Sequence, residues 1–157
     1  MTFQNILVAI DRSPQGEAVF KQALAFAKHN EAHLTLFYCL PTDSEGVGSY
    51  SDMYGQELTN FSKAIAENKE LEVQAVEQWL GQYQQQASEQ GVSIEYRYHA
   101  GNTDRAICDL ARDQNIDLIV LGRRGRKGIE EMLLGSVSNY VVHHAPCSVL
   151  VVQGSSD

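Results

Sequence analysis

The sequence contains one stretch that decides the fold, Asp117-Leu-Ile-Val-Leu-Gly122-Arg-Arg-Gly125-Arg-Lys-Gly-Ile-Glu-Glu-Met-Leu-Leu-Gly135-Ser136-Val137. Its apolar start indicates a buried strand, which Gly122 lets the chain leave by a tight turn. Gly125 leaves room for a ligand to approach the backbone, and Gly135 with Ser136 stands where a helical pattern begins. Backbone N–H groups, a hydroxyl and the positive end of a helix dipole would then meet at one anion. The stretch therefore predicts a phosphate-binding loop.

Length and composition restrict what kind of protein can carry this loop. The 157 residues are 43% hydrophobic and 20% charged, which is typical of one globular domain over residues 1–157. The net charge of −8 argues against a nucleic-acid-binding protein, because phosphate backbones require a basic face. No apolar run reaches the ~20 residues of a membrane span, and the N-terminus does not have the pattern of a signal peptide. We expect a cytoplasmic protein without a membrane partner.

The three cysteines, Cys39, Cys108 and Cys147, form no CxxC pair, and their number is odd. Both features fit free thiols in a reducing compartment. We expect the side chains to act as small buried hydrophobic groups.

Outside the loop, strand-like and helical patterns alternate along the whole chain. This alternation predicts an α/β fold with a parallel sheet and right-handed crossovers. The third strand alternates apolar and polar residues, which is typical of a half-exposed strand near a sheet edge. The predicted strands are Phe3–Ile10, His33–Leu40, Val92–Tyr98, Asp117–Leu121 and Cys147–Val152. The predicted helices run from Pro14, with Ser13 as N-cap, to about Asn30, from Leu58 to about Gln90, from a Thr103 cap onwards, and from Val137 to His144.

Two features of this pattern leave alternatives open. The apolar stripe between Leu58 and Gln90 is interrupted near Asn68, which fits one bent helix or two abutting helices. Residues 41–57 form a long loop rich in Gly, Ser and Asp, which is either a lid or merely mobile.

Polar residues close to the loop also allow two interpretations. Asp11 ends the first strand, where it either caps the following helix together with Ser13 or binds ribose hydroxyls or a metal. The basic run Arg123–Lys127 is either a solvated patch or a group of cations that neutralises a polyphosphate.

The sequence contains no recognisable catalytic constellation. His143 and His144 are neighbours on a helix, where their side chains point about 100° apart and cannot easily share a metal ion. No general base and no Ser–His or Cys–His pair stands out by spacing. Gly128 follows Lys127 where a P-loop NTPase needs Ser or Thr, and the first strand is not followed by GxGxxG. We expect no metal site, no catalytic residue and at most slow hydrolysis of a bound phosphate ester.

The glycine spacing, Gly, two residues, Gly, nine residues, Gly-Ser, resembles the ATP-binding signature of the universal stress protein family. The surrounding Asp117–Gly122 and Ala145–Val152 segments are also similar to that family, and the resemblance extends from Asn5 to Val152. It implies an open five-stranded sheet of order 3-2-1-4-5 with helices on both faces. In that order, Asp11 and the glycine loop face each other across one crevice at the carboxyl ends of the strands.

The resemblance also implies a ligand and the residues that hold it. The ligand is ATP, with magnesium, and AMP is an alternative. Cys39 stands where a plain aliphatic residue is usual, and Ala9 stands where some members carry Pro. The implied binding residues are Ala9, Asp11, Cys39, Gly122, Arg123, Gly125, Gly135, Ser136 and Val137. The implied function is that of a stress-response sensor or regulator acting on an unknown protein partner. The alternative is a dimeric scaffold of the same fold that binds no nucleotide.

The fifth strand lies at a sheet edge in this order. Its residues, Cys147–Val152, include no charge, no proline and no sign of a bulge, which are the usual means of protecting an edge. The sequence therefore predicts a homodimer formed through this strand. The alternative is that the tail after Val152 covers the edge.

Overall fold

The computed structural model describes residues 2–40, 55–123 and 134–153, and for residues 55–66 it describes only the backbone. Gly125 and residues 41–54 of the long loop lie outside the described residues. Strands and helices alternate as predicted. They are β1 (Asn5–Ile10), α1 (Pro14–Asn30), β2 (His33–Leu40), α2 (Gly55–Glu89), β3 (Ile94–Ala100), α3 (Thr103–Asp113), β4 (Leu118–Gly122), α4 (Ser136–His144) and β5 (Ser148–Val152).

The five strands form one parallel sheet in the order β3-β2-β1-β4-β5. This confirms the predicted α/β fold and strand order. The chain builds outward from β1 to β2 and β3 on one side, and then continues with β4 and β5 on the other. The strand order therefore reverses between β1 and β4, where open parallel sheets form their ligand crevices.

Two layers of helices cover the sheet. One buried cluster joins α1 and α2 to the face that contains Ile6 and Val8, and the other joins α3 and α4 to the face that contains Leu7. Successive residues of β1 thus enter opposite cores, as the two-residue repeat of a strand requires. Because β1 and β4 are covered on both faces, they are continuous apolar runs in the sequence.

The helix α2 is a single helix of 35 residues, which settles the choice between one helix and two. Its described apolar side chains Val76, Leu80 and Ala87 are buried against the sheet, while most of their neighbours are exposed. In the part of the chain that the structure describes, no helix is long and apolar enough to cross a membrane.

The start of β3 differs from the prediction by two residues. Gly91 has a φ of 78°, and the Val92 N–H donates to the Ala87 carbonyl over 3.0 Å. These bonds end α2 in a left-handed turn, so Val92 belongs to the helix cap and the strand begins at Ile94. Pairing with β2 then continues to Ala100, beyond the predicted end at Tyr98. The outer half of β3 is exposed, as predicted for an edge strand.

Two further boundaries are corrected by one residue each. Asn102, and not Thr103, is the N-cap of α3, because Thr103 already has helical geometry. The strand β5 begins at Ser148 instead of Cys147, because the chain still bends at Pro146 and Cys147. It pairs with β4 from Leu118↔Ser148 onwards and forms the edge of the sheet opposite β3.

Candidate functional site

The carboxyl ends of β1, β2 and β4 meet at a crevice of about 400 Å³. It lies at the reversal of strand order, and its volume falls within the range of small-molecule sites. The walls come from β1 and its following turn, the start of α1, the ends of β2 and β4, and the first turns of α3 and α4. The described lining residues are Ala9, Ile10, Asp11, Arg12, Ser13, Gln15, Gly16, Val19, Tyr38, Cys39, Leu40, Gly101, Thr103, Ile107, Leu121, Gly122, Val137 and Ser138.

Asp11 is held at the crevice by the turn that joins β1 to α1. Its Oδ1 accepts a hydrogen bond from the Ser13 N–H over 2.9 Å and a second one from the Ser13 hydroxyl. Ser13 stands at the N-cap position of α1, but its side chain makes no capping bond to the helix. The carboxylate therefore orders the turn that precedes α1 instead of capping the helix, and it also lines the crevice.

Gly16 allows α1 to approach the end of β1. It is buried, and a methyl group at this position would lie 2.5 Å from the Asp11 carbonyl oxygen. This distance is too short for any Cβ, and the clash would be with backbone, so Asp11 or the helix would have to move. Sequence reasoning missed Gly16, although a glycine in the first turn of a helix is the signal that could have found it.

Hydrogen bonds join the two described ends of the glycine loop. The Arg123 carbonyl accepts hydrogen bonds from the Gly135 N–H over 2.8 Å and from the Ser138 hydroxyl over 2.9 Å. The same hydroxyl lies 3.1 Å from the Gly135 carbonyl, and the Arg123 N–H donates to Val152 over 3.0 Å. We call Arg123, Gly135 and Ser138 the loop stem. It fixes the start of α4, whose positive end faces the crevice side of the sheet.

The predicted binding residues fall into four groups. Five of them line the crevice: Ala9, Asp11, Cys39, Gly122 and Val137. Arg123 and Gly135 belong to the loop stem and do not line the described crevice. Ser136 is exposed at the first position of α4 and is not among the lining residues, whereas the buried Ser138 is. Gly125 lies outside the described residues.

The wall on the α2 side contains an arginine that the sequence did not single out. The Arg12 guanidinium lies over the Trp79 ring, with its central carbon 5.0 Å from the ring centroid. Trp79 packs edge-on against Tyr38, whose ring centroid is 5.0 Å away, and Tyr38 also lines the crevice. Trp79 comes from α2, so only the folded chain brings it next to a residue 67 positions earlier.

The three cysteines are free thiols in different surroundings. Cys39 is half-buried in the crevice wall, and its thiol donates to the Gly101 carbonyl over 3.2 Å. Cys108 is buried and Cys147 is half-buried in the core beneath α3 and α4. Burial, reinforced by the Asp117 carboxylate, raises the pKa of the Cys147 thiol to about 11, and burial also raises the pKa of Cys108. These two thiols are therefore protonated near neutral pH and poorly reactive.

The described lining residues of the crevice include few ionisable side chains. Asp11 is the only carboxylate among the described lining residues, and none of them is a histidine. Nor do the described residues contain a group of three or more His, Cys, Asp or Glu side chains that could hold a metal ion. His143 and His144 are exposed at the end of α4, where the His144 ring stacks on Tyr140.

Comparison with known proteins places the chain in a family with the same fold. Residues 2–153 match the family model of the universal stress protein family. The chain is 43% identical over 153 residues to a universal stress protein of Synechocystis sp., and the match covers 98% of this chain and 99% of the relative.

Solved structures show the same architecture. Universal stress protein UspA from Lactobacillus plantarum superposes with a TM-score of 0.74 at 28% identity, covering 97% of this chain and 99% of that one. A universal stress protein in complex with cAMP gives a TM-score of 0.68 at 22% identity, with coverages of 99% and 100%. An Arabidopsis thaliana member with AMP bound gives 0.59 at 18% identity, with coverages of 98% and 94%.

Proposed function

This chain belongs to the universal stress protein family, and we propose that it binds an adenine nucleotide, ATP or AMP, in the crevice between β1 and β4. In this proposal the protein is a cytoplasmic sensor or regulator of the stress response. Nucleotide occupancy changes the surface that it offers to a protein partner.

One observation carries the proposal. Five residues that the sequence predicts to bind nucleotide, Ala9, Asp11, Cys39, Gly122 and Val137, come from four separate elements and one turn and line one crevice of about 400 Å³. Such convergence at the reversal of strand order is the usual position of a nucleotide site in this kind of sheet. The neighbouring structures that contain cAMP and AMP support an adenine nucleotide as the ligand class.

Magnesium fits this site only as a companion of ATP. Asp11 offers one carboxylate, and its Oδ1 already accepts two hydrogen bonds from Ser13. Magnesium commonly takes one or two carboxylates together with substrate phosphates and water. We therefore propose that the ATP phosphates hold most of the ion's coordination and that Asp11 supplies at most one further contact.

We propose binding with at most slow turnover. Hydrolysis would need a base close to the attacking water, and the only ionisable groups among the described lining residues are Asp11, Arg12, Tyr38 and Cys39. Arg12 cannot serve as that base, and the Asp11 carboxylate is already engaged by the Ser13 turn. Binding and release of the nucleotide, and not its hydrolysis, would then control the interaction with the protein partner.

We further propose a homodimer through β5. This strand pairs with β4 and lies at the edge of the sheet, where Val149, Leu150, Val151 and Val152 are only half-buried. Pairing with a second copy would satisfy the edge N–H and C=O groups and cover these side chains.

Calorimetric titration tests nucleotide binding together with the role of Gly16. The wild-type chain should bind Mg-ATP or AMP at one site per chain. Gly16→Ala should weaken that binding by about tenfold, since the added methyl group displaces Asp11, and it should lower the free energy of unfolding by about 1–3 kcal/mol.

Gly81→Ala is the matched control. Gly81 lies in α2, and a Cβ at this position would meet nothing within 4 Å, so both affinity and stability should be retained or improved. Absence of heat with every adenine nucleotide in the wild-type chain would overturn the proposed function. Equal nucleotide affinities for Gly16→Ala and Gly81→Ala would show that Gly16 has no role in binding.

A further inference from the structure

We propose that Arg12, held against Trp79, is a specificity-determining residue that selects phosphorylated adenine nucleotides over the uncharged nucleoside. This inference rests on the proposed function and adds a residue to its site. Among the described residues that line the crevice, Arg12 is the only one with a permanent positive charge.

The position of Arg12 is set from two sides. Its backbone belongs to the turn that Asp11 and Ser13 order by hydrogen bonding, so the side chain leaves the chain at a fixed point of the crevice wall. Its guanidinium lies 5.0 Å from the centroid of the Trp79 ring. A guanidinium over an aromatic ring is attracted to the ring face, and its N–H groups can still donate to a ligand.

The tryptophan is itself fixed by an aromatic row. Trp79 packs edge-on against Tyr38 at 5.0 Å and against Tyr83 at 5.6 Å, and Tyr83 packs against Phe20 at 4.6 Å. Tyr38 and Phe20 are buried. The surface beneath Arg12 is thus part of the core between α1, α2 and β2. Arg12 is itself exposed, and its contact with this fixed ring reduces the conformational entropy that it loses when it binds an anion.

The charge balance of the crevice gives this arginine its role. Asp11 places a carboxylate beside the turn, and a phosphate group brought next to it without a bridging magnesium ion is repelled. Arg12 is the adjacent residue, and its planar guanidinium can donate two parallel hydrogen bonds to phosphate oxygens. An uncharged nucleoside would gain nothing from this cation, so the discrimination depends on the phosphate.

The experiment compares ATP, AMP and adenosine by calorimetry in four proteins: wild type, Arg12→Gln, Arg12→Lys and Arg112→Gln. We expect Arg12→Gln to lower the affinity for ATP and AMP by about tenfold or more. The affinity for adenosine should fall by less than about twofold. Arg12→Lys keeps the charge but loses the planar fork, so its loss should be intermediate. Arg112 lies in the last turn of α3, away from Thr103, which lines the crevice, and it pairs with Asp109. Its variant should behave as wild type.

Trp79 provides a second readout, because it is the only tryptophan in the chain. AMP should change its fluorescence in the wild type more than adenosine does, and this difference should be lost in Arg12→Gln. If Arg12→Gln lowers the melting temperature but leaves the AMP-to-adenosine affinity ratio unchanged, Arg12 merely covers Trp79 and the inference is wrong. A wild-type chain that binds none of the three ligands overturns the proposed function and this inference together.

Discussion

Cys39 and Cys147 are both half-buried thiols, yet they lie in different surroundings. Cys39 lines the crevice, whereas Cys147 packs in the core beneath α3 and α4. The pKa of Cys147 is raised to about 11 by burial and by the Asp117 carboxylate. The neutral thiol is therefore the form that the folded state favours. The resulting stability is fully present below the unfolded pKa near 9 and is lost as the pH rises through about 11.

This contrast gives a footprint of the ligand within one molecule. At pH 8, iodoacetamide should modify Cys39 first, and saturating ATP or AMP should slow that reaction by about tenfold or more because the ligand covers the thiol. Cys147 should react slowly with or without nucleotide, and its rate should continue to increase with pH up to about 11. Peptide mass spectrometry of the alkylated protein measures both rates. Nucleotide-independent alkylation of Cys39 would place the ligand elsewhere.

At the scale of single residues, sequence reasoning found the positions with an obvious chemical signal and missed those that depend on packing. Asp11 follows the apolar strand β1 and Gly122 ends the apolar strand β4, so their place at the strand ends could be predicted. Ser138 could not, because its role depends on the Arg123 carbonyl 15 residues away. Arg12 could not either, because only the folded chain places Trp79 beneath it.

At the scale of elements, the loop stem determines how the glycine loop and α4 are held together. Ser138 is buried, and its hydroxyl contacts the Arg123 and Gly135 carbonyls. Ser136, two residues earlier, is exposed. The two serines therefore offer a matched pair of substitutions in the same helical turn.

Ser138→Ala should lower the free energy of unfolding by about 1 kcal/mol, since it removes the hydroxyl donor, while the Arg123 carbonyl keeps its bond from the Gly135 N–H and the Gly135 carbonyl keeps its bond from the Asn139 N–H. It should also weaken nucleotide binding, because the loop stem loses the hydrogen bond from Ser138 to the Arg123 carbonyl. Ser136→Ala should leave stability unchanged within about 0.5 kcal/mol and affect affinity alone, through loss of a phosphate contact. Urea denaturation and calorimetry separate the two effects. Unchanged stability in Ser138→Ala would show that the backbone bond from Gly135 suffices.

The helices and strands were largely predictable, and the errors in their predicted ends have a common cause. Apolar runs flanked by Gly, Pro or Asp predicted the bounds of β1, β2 and β4 to within two residues. The ends of β3 and α3 depend on backbone bonds, such as that from Val92 to Ala87, which periodicity does not report. The strand order came from resemblance to the family and not from periodicity, since alternation alone fixes the class of sheet but not the neighbours of β1.

At the scale of the whole molecule, β5 forms an edge of the sheet, and its residues include no charge and no proline. Val151→Lys should convert a dimer of about 35 kDa, twice the chain mass of 17.4 kDa, into a monomer, because the charge would lie within the paired strands. Light scattering at micromolar concentration measures the mass. His99→Lys, on the exposed outer part of β3, is the control and should remain dimeric. A monomeric wild type would refute the proposed interface.

Native mass spectrometry of the protein freshly purified from cells tests the central claim, nucleotide binding, most directly. We predict that the chain carries one copy of ATP or AMP and that this mass is released when the protein is unfolded. The same adduct should return when the stripped protein is titrated with Mg-ATP or AMP. A chain that arrives without any adduct and acquires none during the titration would contradict nucleotide binding and leave the dimeric scaffold as the function.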